Sequence, residues 1–331
     1  MPIALVRHAL RTLLVPAVAA LTIVSALPAA AQQAWPSRPI KMILQSPPGG
    51  TSDIIARLIQ GPLQETLGQT MVIESRTGSF GIPAGIAVSK SPADGYTIAL
   101  FGSSHAANVT LQKTLPYDTL KDFVPIALAA KTPNMIAANP ATQINSIADL
   151  VAAAKAKPGS ISYGTTGLGL TQHFSGESLR LRAGIDIVHV PYRGAGPAIV
   201  AAIGGEIPIA ITVAGGMAQH IQSGRLRAIA VTGPERLPQF PNVPTVAEQG
   251  FPDFSIIEWF VVVGPSGIPP EIVRRLNSEI NRAMSLPAAT ERLRALGFQL
   301  APSSPEEVRA FIESEIRNLR TIIQAANIKA E

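Results

Sequence analysis

The chain has 331 residues, no cysteine and a formal net charge of +5. The missing cysteine removes disulfides, thiolate chemistry and a cysteine-borne lipid from consideration. The basic residues are scattered and not interleaved with aromatics, so no nucleic acid partner is expected.

Arg7, His8 and Arg11 give a basic start, Leu13 to Leu27 an apolar run, and Ala29-Ala30-Ala31 a small-residue cleavage site. That is the layout of a secretory signal peptide. The run is shorter than the roughly 20 residues a membrane span requires. Residues 1–31 are therefore expected to be removed on export to the periplasm. Discounting Arg7 and Arg11 lowers the net charge to +3, a mild balance compatible with an anionic ligand. The remaining chain, about 300 residues, is long enough for two domains and for a core that needs no disulfides.

Apolar runs then alternate with helical patterns. Ile40 to Leu44 reads as a buried strand, and Ser52 to Leu67 as a helix with Ile54, Ile55, Leu58, Ile59 and Leu63 on one face. Met71 to Ile73 is a second strand, followed by a glycine-rich loop and a short helix near Ala87. Tyr96 to Phe101 is a third strand after the turn Ala93-Asp94-Gly95. Val124 to Ala130 and Met135 to Ala138 read as two separate strands. Ser146 opens a helix, with Asp149 at capping spacing.

Further strands are expected at Ile161 to Tyr163, Ile187 to Val190, Ile207 to Val213, Leu226 to Val231 and Ile256 to Val263. A helix runs from about Thr171 to Arg182, and Pro197 sits in the first turn of another. Pro270 to Met284 and Ala288 to Leu296 are helical. Ser304-Pro305-Glu306-Glu307 is a capping box opening a last helix to about Ala326. The alternation predicts an α/β fold with mostly parallel sheets, and two such sheets leave a cleft between lobes.

Two strand-to-helix loops carry the best ligand chemistry. In Ser46-Pro47-Pro48-Gly49-Gly50-Thr51-Ser52-Asp53, the glycine pair allows close approach of backbone N–H groups and the helix start favours an anion. Pro48, Gly49, Gly50, Thr51 and Ser52 are the candidate binding residues, while Asp53 reads as a first-turn acid. The loop lacks the Gly-Lys-Ser/Thr ending of a P-loop. The second loop, Tyr163 to His173, offers Thr166, Gly167, Gly169 and Thr171, and fails the Rossmann spacing. Gly164 is expected to matter less than these.

Tyr192 and Arg193 end a strand and are placed at the cleft, Arg193 as a carboxylate attractor; a turn with a solvated arginine fits equally well. Ser104, His105 and Asn108 follow the third strand and read either as cleft rim or as turn caps. His173 reads as a first-turn packing residue. No metal spacing, nucleophile elbow, His-Glu-x-x-His or paired carboxylates occur, so no metal, cofactor or enzymatic activity is expected.

Trp35-Pro36-Ser37-Arg38-Pro39-Ile40, then Pro47-Pro48-Gly49-Gly50 with Asp53 and Ala56-Arg57, resemble the opening of the Bug family. These are substrate-binding receptors of tripartite tricarboxylate transporters. The likeness continues through Asp94-Gly95-Tyr96-Thr97, Leu115-Pro116-Tyr117-Asp118, Lys157-Pro158-Gly159, His189-Val190-Pro191-Tyr192, Gly224 to Ala228 and Val243 to Glu248. The resemblance implies a bilobal, type II-like periplasmic-binding-protein fold with two strand crossovers. It implies one lobe of residues 32–132 and 254–331, a second of 133–253, and capture of a small carboxylate for the transporter's membrane subunits. It also implies that the carboxylate is held by the two loops, at Gly49 to Ser52 and at Thr166, Gly167, Gly169 and Thr171.

Four positions in three places depart from the family pattern. Phe80 stands for a glycine and Ile82 for an amide in Gly78 to Ala84, Thr212 stands where relatives often carry an aspartate, and Val261 stands for a glycine. Phe80 and Thr212 are expected to line the pocket and favour a ligand with an apolar body over an amino acid. A receptor feeding a sensor kinase, or a periplasmic enzyme acting on a carboxylate, are the competing functions.

Overall fold

The computed structural model describes residues 35–330, so the expected signal peptide lies outside the described residues. Trp35–Ser37 belong to a leading unit of their own, and from Arg38 onward the chain packs as one unit.

The strands make two sheets that share one long member. In the first, β1 (Ile40–Leu44) is flanked in parallel by β2 (Met71–Ser75) and β3 (Thr97–Gly102). In the second, β5 (Ile161–Thr165) is flanked in parallel by β6 (Ile187–Pro191) and β7 (Ile209–Val213). One strand, β4 (Phe123–Ala138), belongs to both, and β9 (Ile257–Pro265) lies between β3 and β4 in the first. β9 pairs antiparallel with β3 and with β4 from Phe123 to Pro133. From Asn134 on, β4 pairs antiparallel with β7, and from Met135 with β8 (Arg227–Val231).

Two expectations change. Among the described residues four strand pairs are parallel and four antiparallel, so the sheets are mixed rather than mostly parallel. β9 runs against the parallel core of the first sheet and β4 against that of the second. The two strands expected around Pro133 are one strand of 16 residues. Pro133 lacks an N–H, and it sits where β4 leaves one sheet for the other; the register also shifts between Pro125 and Ala127 and between Leu128 and Ala130. A proline is tolerated in a strand at such an irregular point.

The helices follow from periodic apolar positions. α1 (Thr51–Leu67) buries Ile55, Ile59, Leu63 and Leu67, and stops at Gly68 with φ 65°. Then come α2 (Ile82–Ser89), α3 (Ser104–Leu111), α4 (Ile147–Ala156), α5 (Thr171–Ala183), α6 (Ala195–Gly204), α7 (Ala214–Gln222), α8 (Pro270–Ser285), α9 (Pro287–Ala295) and α10 (Pro305–Ala325). At α4 the Ser146 hydroxyl accepts from the Asp149 N–H at 3.0 Å. α10 opens with both arms of the Ser304–Glu307 capping box and buries Val308, Ile312, Ile316, Leu319 and Ile323.

One apolar core runs from Ile43 and Phe101 through Ile136 and Tyr163 to Ile316, so it spans both sheets. A second cluster around Met135, Ile199, Met217 and Leu226 covers the other face of the second sheet. Gly164 is packed tightly: a Cβ there would lie 2.2 Å from Ile207 Cδ1 and 2.9 Å from the Tyr192 ring. Gly164 is therefore a packing position of the second sheet.

Candidate functional site

Three strand-to-helix connections, β1–α1, β3–α3 and β5–α5, follow the carboxyl ends of parallel strands, where open α/β sheets hold ligands. At the first, Gly49 takes φ 80°. Its N–H donates to Asp53 Oδ2 at 3.0 Å, and Arg57 Nε donates to the same oxygen at 3.0 Å. The Arg57 hydrogen bond, followed by the Gly49 N–H, holds the Asp53 carboxyl below its ordinary range. Asp53 thereby braces the glycine turn from behind. Gly50 is the N-cap, and it has no side chain to accept from the leading N–H groups of α1. Thr51 is half-buried and Ser52 buried, with the Ser52 hydroxyl hydrogen-bonded to that of Ser46; Pro48 is exposed.

The second corner is built around two histidines, His173 buried and His189 half-buried. Thr165 Oγ1 lies 2.7 Å from His189 Nε2, and the Gly169 N–H donates to His173 Nδ1 at 3.1 Å. The two rings stack with centroids 3.8 Å apart. Burial lowers His173 to about 4, with Arg180 adding to it. Burial lowers His189 to about 3, with His173 adding. Both are therefore neutral at neutral pH, as an acceptor role for His173 Nδ1 requires. The Thr166 hydroxyl donates to Gln172 Oε1 at 2.9 Å, and Gln172 Nε2 donates to Asn134 Oδ1 at 2.9 Å. Gly167 and Gly169 take φ 153° and 65°. The N-cap of α5 is Leu170, again without an acceptor side chain.

The corners meet through the Gly78–Gly81 loop, which follows β2 on the first sheet's side. Phe80 holds φ 56°, a region non-glycine residues enter only when the surroundings fix them. Its carbonyl accepts from Asn108 Nδ2 at 3.1 Å. Its ring touches Gly169: a Cβ on Gly169 would lie 3.0 Å from Phe80 Cε1 and 3.1 Å from Leu111 Cδ1. Gln45, just after β1, fills the space behind Gly81, where a Cβ would come within 2.8 Å of it.

Other predicted positions lie elsewhere. His105 is 2% exposed and packs among Phe101, Tyr117 and Phe123, where burial lowers it to about 3. Ser104 and Asn108 are also buried, and Asn108 reaches the loop only by supporting the Phe80 carbonyl. The rim reading of His105 is thus corrected: its ring fills an aromatic core. Tyr192 packs over Gly164 and donates to Glu206 Oε1 at 3.1 Å, while Arg193 is exposed. Thr212 is fully buried, its hydroxyl donating to the Val213 carbonyl at 3.2 Å.

Two residues were missed. The Ser103 N–H and hydroxyl donate to Glu258 Oε1 at 3.1 and 2.9 Å, and the Thr171 hydroxyl donates to Glu258 Oε2 at 2.8 Å. Burial raises the Glu258 carboxyl above its ordinary value, against the pull of the Thr171 and Ser103 hydrogen bonds. Glu258 was legible only as a lone acid in the apolar strand Ile256 to Val263. Among the described residues no cluster of His, Cys, Asp and Glu is arranged to hold a metal.

Two α/β halves built on parallel strands, with β4 running through both sheets and the start of α5 held by Glu258 of the first, define a bilobal solute-binding protein of the periplasmic-binding-protein fold. Residues 55–328 match the model of the tripartite tricarboxylate transporter family receptor. Protein BugT of Bordetella pertussis is 37% identical over 89% of this chain and 91% of its own. An R. palustris protein solved with adipate superposes with a TM-score of 0.80 at 33% identity, over 89% of this chain and 99% of its own. MatC from Rhodopseudomonas palustris with bound malate gives 0.76 at 27% identity, over 87% and 100%. The chain belongs to the tripartite tricarboxylate transporter receptor family, a family of binding proteins and not of enzymes. No helix among the described residues is long and apolar enough to cross a membrane.

Proposed function

We propose that this receptor captures a small carboxylate in the periplasm, between a lobe of residues 32–132 with 254–331 and a lobe of 133–253, and delivers it to the membrane subunits of a tripartite tricarboxylate-type transporter. In this reading residues 1–31 are the export signal. The observation that carries it is the pair of helix starts whose caps, Gly50 and Leu170, have no acceptor of their own. Their leading N–H groups need an external acceptor, and a carboxylate supplies one. Hydrogen bonds to a charged acceptor contribute about 1.5–3 kcal/mol each. Several of them reach the roughly 8 kcal/mol of a micromolar complex after ordering costs.

Phe80, Leu111 and Leu170 surround the second corner with apolar surface, because Gly167 and Gly169 leave room for them. Thr212 leaves the second sheet without an acid at its position. Both favour an apolar ligand body and give an ammonium group no partner there. The adipate and malate held by the R. palustris relatives fit the same carboxylate chemistry. A thermal-shift screen with adipate, malate, citrate, aspartate, glutamate, nicotinate and terephthalate tests the reading. A ligand at 100 times its Kd adds about 2.7 kcal/mol of stability. The shift is expected for adipate or an aromatic acid, to vanish in Gly50→Leu, and to persist in Gly196→Ala, where the added Cβ meets nothing. Stabilisation by aspartate alone would sink the apolar-body reading; a shift unaffected by Gly50→Leu would sink the site.

A further inference from the structure

Glu258 lies on β9 of the first sheet, in register with Thr132 of β4, the strand that runs through both sheets. Its carboxylate receives donors from both halves. Ser103, which gives its N–H and hydroxyl, precedes α3 on the first sheet. Thr171, which gives its hydroxyl at 2.8 Å, is the first residue of α5 on the second. Its two oxygens thus take four hydrogen bonds, three from Ser103 and one from Thr171. The fit is close: a Cβ on Gly102 would lie 3.0 Å from Glu258 Oε1 and 3.0 Å from Gln45 Nε2. Glu258 therefore ends one row of contacts, Gln45–Gly102–Ser103, and begins another, Thr171–Gly169–Phe80.

The Thr171 hydroxyl is directed to this internal acid and not to a guest. Rotation of one half away from the other about β4 would separate Ser103 from Thr171, and Glu258 would have to release one of them. We propose that Glu258 is a positioning residue for ligand capture: a latch that clasps the starts of α3 and α5 together and favours the closed arrangement before a ligand arrives. Weakening the latch lowers the fraction of competent receptor, and apparent affinity falls by that same fraction. Loss of a charged hydrogen bond changes such an equilibrium by about tenfold or more. Only the affinity consequence rests on the proposed carboxylate binding; the closure consequence rests on the two-sheet fold.

The absence of native cysteine allows a clean distance measurement. Lys113→Cys and Gly196→Cys, both at exposed positions on opposite halves, carry spin labels, and the label separation is measured without ligand by pulsed electron resonance. The short-distance population is expected to dominate in the otherwise native chain and to fall about tenfold relative to the long one in Thr171→Val and in Glu258→Gln. The double variant is expected to match the singles, because both remove one bond. Thr171→Val keeps the side-chain shape, so it reports even where Glu258→Gln folds poorly. Unchanged distances in Thr171→Val, or additive shifts in the double variant, would overturn the latch. With adipate as probe, the same variants should weaken binding about tenfold. If no acid binds but the distances respond, the latch stands and the carboxylate reading fails.

Discussion

At the residue scale, three histidines set a pH dependence whose sign is fixed by their surroundings. His105, His173 and His189 are lowered by burial to about 3, 4 and 3 from an ordinary 6.5. The unfolded chain therefore binds more protons than the folded one between about pH 6.5 and pH 3–4. Their contribution is complete above pH 6.5 and is lost as the pH falls toward 3–4. Glu258 and Glu315, raised by burial, act in the opposite sense above 4.5. The informative quantity is thus a difference. His105→Phe, which preserves the aromatic packing around Phe101, Tyr117 and Phe123, should flatten the loss of stability between pH 7 and pH 5 in urea titrations. An unchanged slope would show that His105 titrates normally.

Glycines give a second residue-level expectation. Gly176 lies under the Tyr163 ring, where a Cβ would come within 2.1 Å of Cε2. Tyr163 is pinned from the far side by its hydrogen bond to Glu177 Oε1 at 2.7 Å, and Glu177 also receives Arg180 Nε at 2.8 Å. The ring has little freedom to yield, so Gly176→Ala should destabilise by about 1–3 kcal/mol, the usual cost of overpacking. The urea midpoint measures it. Gly184→Asn, at a helix end with φ 58° and open space, should be nearly neutral by the same measurement.

At the element scale, the last helix was readable because its signals are local. Ser304, Pro305 and Glu307 fall at fixed offsets, and both capping hydrogen bonds form, at 3.2 and 2.8 Å. Ser304→Ala should lower stability by about 1 kcal/mol, seen as an earlier thermal transition. β4 was misread for a complementary reason. Pro133 looks like a strand breaker in one dimension, whereas the chain is changing sheets there, and a missing donor is harmless at the change. The β6 edge was legible as a strand from Ile187 to Val190, but the fate of Tyr192 was not. Its ring turns onto Gly164 and its hydroxyl onto Glu206, away from the glycine corner.

At the scale of the whole molecule, two halves share one core and the strand β4, so closure and stability are coupled. Trp259 on β9 donates to Glu315 of α10 at 2.8 Å, while Gln299 pairs with Lys131 of β4. On the far side a Cβ on Gly215 of α7 would fall 2.1 Å from the Leu296 carbonyl. The segment after α9 is therefore wedged against the second half. Gly215→Val should disturb this contact from outside both glycine corners. The expected outcome is a lower unfolding temperature, and a thermal shift with adipate no larger than in the native chain. A normal melting curve would show that the wedge yields freely.

Sequence alone determined the compartment expectation, most of the helices and strands, the two glycine corners and the family, because each is written in local spacing or in an ordered set of short motifs. Only the tertiary structure decided which polar side chains meet. Glu258 is separated from Ser103 by 155 residues and from Thr171 by 87, and no local pattern joins them. The same holds for His105, whose aromatic neighbours come from three different segments. Periodicity reports which face of an element is buried; only the folded chain shows what it is buried against.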